Sequence, residues 1–173
     1  MMERFTLGLI KVILLLIITG GCSAMSYKKT VEYVDIERFM GDWYVIAGRV
    51  TFLEKGAHNP LEKYSLKKDK EKIKINIEFS YNKNSLNGPK KSIPQKGEVF
   101  NYDTNAHWKV SPFWPLKFDF LVIDLDKEHY EWTAIGVPSQ KYLWIMFRDP
   151  HPSQSSISDV INRLDGLGYN VKN

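Results

Sequence analysis

Cysteine is nearly absent: Cys22 is the only one among 173 residues, so no disulfide can close within the chain. Metal-ligand patterns are absent too. The four histidines, His58, His107, His129 and His151, are scattered, and none stands at ligand spacing from another. No serine sits in a Gly-x-Ser-x-Gly elbow, and no Gly-rich phosphate loop is present. Nothing therefore asks for a metal or a nucleotide cofactor, and a non-enzymatic role is the expectation. Carboxylates are common, but they fall mostly at turns, where solvated charge is the default reading. Charge of one sign is also lacking. Against 24 Lys and Arg stand 20 Asp and Glu, a formal net charge of +4. So mild and dispersed an excess argues against a nucleic-acid partner, though it suits a body lying near anionic headgroups.

Long apolar runs are missing as well. The N-terminal run Val12–Ile18 falls short of the roughly 20 residues that a spanning helix needs. Arg4 and Lys11 precede it, and small residues follow at Thr19-Gly20-Gly21 before Cys22. This is the layout of a secretory signal. An uncleaved anchor is the weaker alternative. Small residues ending at a cysteine resemble a bacterial lipobox, which implies that Cys22 is lipidated and becomes the new N-terminus. Ser23 rather than Asp follows it, which in such lipoproteins implies the outer membrane. The chain then divides into a signal peptide at 1–21, a tether at 22–30 and one domain at 31–173. An ordinary secreted protein with a free thiol is the competing reading.

What the domain has is a succession of short strand-like segments bounded by turn residues. Asp42–Val50, Leu61–Lys67, Lys72–Tyr81, Lys96–Tyr102, His107–Pro112, Leu116–Leu125, His129–Val137 and Lys141–Arg148 give about eight. Alternation is clearest in the third, where Ile73, Ile75, Ile77 and Phe79 share a face. Hairpin-length connections predict an all-β, up-and-down antiparallel barrel. One helix follows: Ser153–Ser156 offer N-caps, Ile157, Val160, Ile161, Leu164 and Leu167 form a stripe, and Gly168 offers a stop. The stripe is expected to pack outside the barrel. The mixed polar face of Asp159, Asn162, Arg163 and Asp165 argues against a lipid-binding helix.

The most telling run is Gly41-Asp42-Trp43, entering the first strand. A large apolar ring at that point suggests a plug for one end of the barrel. Gly41-x-Trp43 resembles the first motif of the lipocalins. The turn Asp124-Leu125-Asp126 resembles their second. Arg148, closing Tyr142-Leu143-Trp144-Ile145-Met146-Phe147-Arg148, is similar to the arginine that lies across the first-strand tryptophan in that family. Guanidinium over indole is sound chemistry, because the cation can stack and still donate hydrogen bonds. Glu62–Leu66, Ile93–Gly97, Ser111–Pro115 and Lys141–Met146 further resemble the bacterial outer-membrane branch related to apolipoprotein D. The resemblance spans roughly residues 30–170.

That resemblance implies an eight-stranded, lipocalin-like barrel with an open calyx and Gly41, Trp43 and Arg148 at its floor. Strand parity then assigns a ligand-binding lining. It places Val45, Ala47 and Arg49 on the first strand, Phe118, Phe120 and Val122 on the sixth, and Tyr142, Trp144 and Met146 on the eighth. Tyr142 or Arg49 near the mouth is expected to meet an acidic headgroup. Ile73, Ile75, Ile77 and Phe79 face in or out depending on a single register step. The expected partners are a fatty acid, lysophospholipid or similar hydrophobe in the calyx and a membrane through the N-terminal lipid, with no cofactor. Pairing of two barrels is left open. The competing functions are a lipocalin-fold enzyme acting on a bound lipid, or a structural envelope protein with a filled barrel.

Overall fold

A computed structural model describes residues 30–67, 69, 71–169 and 171. The signal peptide, Cys22 and all of the tether before Thr30 lie outside the described residues. A short helix α1 (Ile36–Phe39), capped by the Asp35 carboxylate, leads into the first strand. Eight strands follow: β1 (Gly41–Arg49), β2 (Ala57–Lys67), β3 (Lys74–Lys83), β4 (Lys90–Asn101), β5 (His107–Ser111), β6 (Phe118–Leu125), β7 (Trp132–Gly136) and β8 (Leu143–Phe147). Each pairs antiparallel with the next, and β8 closes on β1. The result is the up-and-down barrel that the short hairpin connections predicted.

The strand boundaries differ in instructive ways. β4 begins at Lys90, six residues before the expected Lys96, and runs straight through Pro94. Proline is tolerated there because β5 reaches only as far as Lys96, so at Pro94 the strand has β3 as its sole neighbour. β2 begins at Ala57 rather than Leu61, with a register shift between His58 and Leu61 at Asn59, whose φ is 50°. β7 and β8 are shorter than expected. The segment before β7 is instead a turn in which Asp126 accepts backbone N–H bonds from Glu128, His129 and Glu131.

Two cores flank the barrel wall. The inner one fills the closed end with Val34, Phe39, Trp43, Tyr64 and Trp108, among others. The outer one lies under α2 (Gln154–Gly166), where Val160 and Leu164 pack on Leu121, Ile123, Ala134, Leu143, Ile145 and Phe147. Ser153 caps the helix start. Its end is a Schellman turn. Gly168, at φ 79°, donates to Asp165 O, and Tyr169 N donates to Leu164 O. Leu167, expected in the buried stripe, is exposed at the C-cap. Arg163 ties the helix to the barrel by two bonds to Asp124, at 3.0 and 3.1 Å. Among the described residues, all eight strand pairings and both cores lie within residues 31–171, and the barrel closes on itself without a further strand.

Candidate functional site: an apolar calyx

The site begins with its floor. Trp43 is fully buried, and its Nε1 donates to Phe39 O at 2.8 Å. The Arg148 guanidinium lies 3.7 Å from the Trp43 ring centroid. It donates to Asp42 O and Arg38 O at 2.8 Å, to Phe39 O at 3.2 Å and to Tyr130 O at 3.3 Å. One cation thus stitches α1, β1 and the turn before β7 together. Burial pulls its pKa below the ordinary arginine value. Gly41 explains the motif's third member: its φ is 97°, and a Cβ there would stand 3.2 Å from Arg148 Nη1. Above Trp43 the rings continue. Phe39 meets Trp108 edge-on at 5.1 Å, and Trp108 stacks on Phe120 at 5.0 Å.

The barrel is not packed above that aromatic plug. The cavity that remains has a volume of about 180 Å³ and opens at the mouth. The side walls carry Ile77, Phe79, Ile93, Val110, Ile135 and Met146. Phe118, Tyr142, Trp144 and Phe52 stand nearer the opening. Polar groups are few. Glu54, in the 3₁₀ turn Phe52–Glu54, accepts from Trp144 Nε1 at 2.7 Å and from Thr51 N and Oγ1 at 2.8 Å. Deeper down, Glu62 accepts a hydrogen bond from the Tyr64 hydroxyl. Burial pushes the Glu62 carboxyl up to about 7, against the Tyr64 bond and with help from the nearby Glu54. Burial and Glu62 together also raise Tyr64. Among the described lining residues, the charged side chains are Glu54, Glu62 and Asp119, with no Lys or Arg. Asp119 turns outward to Lys109 and His107, both at 2.5 Å.

A calyx closed by an arginine-capped tryptophan is what the motif order implied, and the family comparison agrees. The lipocalin-like domain family matches residues 34–173. The chain is a lipocalin. Similar proteins include the outer membrane lipoprotein Blc of Vibrio cholerae, 26% identical over 92% of this chain and 91% of its own length. The Blc of Citrobacter freundii is 32% identical over 87% and 84%. A temperature-induced lipocalin of Arabidopsis thaliana is 28% identical over 85% and 82%. Among solved structures, insecticyanin of the tobacco hornworm aligns at a TM-score of 0.59 and 18% identity, over 83% of this chain and 79% of that one. Lobster apocrustacyanin A1 aligns at 0.60 and 12%, over 80% and 74%. At such identities these two speak to the fold alone.

The lipocalin barrel sorts the residues singled out from sequence. Phe118, Phe120, Tyr142, Trp144 and Met146 line the cavity. Val45 and Val122 face inward too, but within the packed inner core rather than against the opening. Ala47 and Arg49 do not line it. A bulge between Val45 and Ala47 reverses the parity of β1, so Ala47 pairs with the outward Ile145 and packs toward the helix. Arg49 follows it outward, and its Nη2 donates to Gln140 O at 2.8 Å. Of the two residues expected to meet a headgroup, only Tyr142 stands in the opening. Ile75, Ile77 and Phe79 point inward. Glu62, Glu54 and Gln95 were missed, because a polar residue in a strand or a turn reads as a solvent-facing one.

Proposed function

We propose that this lipocalin is a lipid-anchored protein of the cell envelope that takes a fatty acid, lysophospholipid or similar single-chain amphiphile into its calyx, for storage, transport or scavenging. The observation that carries this reading is the contrast between a floor packed solid with aromatic rings and an apolar chamber left open above it. That open chamber weighs against a barrel that is merely filled. Each methylene moved from water into such walls gains roughly 0.8 kcal/mol, before the cost of ordering the acyl chain. Glu54 and Glu62 turned inward, with no cation among the described lining residues, set the pose. An acidic headgroup is disfavoured at depth, so the tail enters first and the head stays at the mouth. The envelope placement and the anchor at Cys22 draw support from relatives named outer membrane lipoproteins.

The test is native mass spectrometry, with lipid extraction, on the domain beginning at Ser23. A co-purifying acyl lipid released on denaturation, or uptake of added lysophospholipid, is the expected result. A bare mass with no uptake of either lipid would overturn the reading. Turnover of the lipid would move the protein to the enzymes.

A further inference from the structure

We propose that the mouth of the calyx is a membrane-docking face, which seats the barrel rim-down on an anionic phospholipid bilayer. The topology puts four connections around the opening: β1–β2, β3–β4, β5–β6 and β7–β8. Three of them lift a large apolar side chain into solvent. Trp114 is 89% exposed, Phe52 78% and Leu86 62%. Phe113 and Leu116 flank Trp114 and are exposed as well. Among the described residues neither Trp114 nor Phe52 has a ring contact. Two of the exposed rings lower on the barrel are engaged: Phe100 packs on His107 and Lys109, and the Tyr102 hydroxyl accepts from Ile73 N.

Charge segregates with the same geometry. The rim bears Lys55, Lys83, Lys90, Lys91, Lys117 and Lys141, all exposed, and none is ion-paired among the described residues. The acid in these connections, Glu54, is turned inward to Thr51 and Trp144. The closed end is mixed: Glu32, Asp35, Glu37, Asp126, Glu128 and Glu131 stand around Arg38 and Lys127, and the β2–β3 connection adds Lys67, Asp69, Glu71 and Lys72, the last paired with Glu98. An anionic bilayer satisfies both halves of the rim at once. Aromatic and aliphatic tips sink to the level of the headgroups, and flexible lysine stems reach the phosphates. The tips rise from separate loops around an opening, which suits a deformable fluid surface better than the flat core of a protein interface. An acyl chain leaving the bilayer would pass straight into the chamber.

The surface assignment does not depend on the cargo reading. Its test is co-sedimentation of the domain beginning at Ser23 with vesicles of phosphatidylglycerol in phosphatidylcholine, or of phosphatidylcholine alone. Binding is expected to favour the anionic vesicles by about tenfold or more and to fall with added salt. Trp114→Ser with Leu86→Ser, or Lys90→Glu with Lys91→Glu, should each weaken it about tenfold without lowering the melting temperature. Lys127→Glu, at the closed end, should leave it unchanged. Equal binding to both vesicles, no binding, or an equal loss with Lys127→Glu overturns the proposal. So does dimerisation through the mouth without vesicle binding. Cargo uptake, measured on the same variants, separates the two readings. Vesicle binding without uptake overturns only the carrier, and uptake without vesicle binding overturns only the docking face.

Discussion

Arg148 is held by four backbone carbonyls rather than by an acid. Its removal leaves those oxygens short of donors and exposes the Trp43 face. Arg148→Met should cost about 2–4 kcal/mol in urea unfolding. Arg148→Lys should recover little of that, because one ammonium cannot replace a planar fork reaching several acceptors. Glu62 gives a pH signature. Between the ordinary 4.5 and about 7, the folded chain keeps a proton that the unfolded chain has released. Stability therefore falls as pH rises through that window. Glu62→Gln keeps an acceptor for Tyr64 and abolishes the effect, so the variant should gain about 3 kcal/mol on wild type between pH 4.5 and 7.5. Parallel stability curves would refute the assignment. Trp144→Ala, by contrast, strips wall from an open chamber. It should weaken lysophospholipid binding about tenfold or more while shifting the melting point less than Arg148→Met does. The floor residues were legible because three separated motifs had to meet. Glu62 was not. In Leu61-Glu62-Lys63-Tyr64, hydropathy offers Leu61 to the interior, yet Glu62 and Tyr64 are the pair that point there.

At the scale of elements, alternation was read well along β3 and β8 and failed where a strand bulges. One extra residue between Val45 and Ala47 sends Ala47 and Arg49 to the outer face, and a second shift between Val122 and Asp124 lies in β6. Neither bulge carries a glycine or proline to announce it. Tertiary closure places them, and sequence periodicity cannot see that. Pro94 misled in the opposite direction, since only the short reach of β5 makes it harmless in a strand. The helix was legible because its stripe, its serine cap and Gly168 agree with one another. Leu164 is fully buried against the outer wall. Leu164→Ala should cost about 2–4 kcal/mol yet leave cargo affinity unchanged, as isothermal titration of a folded sample would show. A parallel loss of affinity would mean that the helix shapes the chamber.

For the whole molecule, stability and occupancy are linked. A cargo that binds only the closed barrel adds about 2.7 kcal/mol at a free concentration of a hundred times its dissociation constant. Delipidated protein should therefore melt several degrees below the loaded form, a gap that calorimetry can read directly. An unchanged melting point on loading would place the lipid outside the barrel. The fold class followed from eight short segments with hairpin-length connections. The chamber did not, because whether a barrel is filled depends on side-chain volumes in three dimensions rather than on their order along the chain.

The chain enters the barrel from below: Val31 N bonds to Val122 O and Val34 N to Thr104 O, both at the closed end. The two poles of the molecule are therefore not equivalent. The N-terminal end of the described chain lies at one pole, and the opening looks out from the other. Such a protein is vectorial. Whatever holds the chain by its N-terminal side holds the closed pole, and the mouth then faces the surface across the gap.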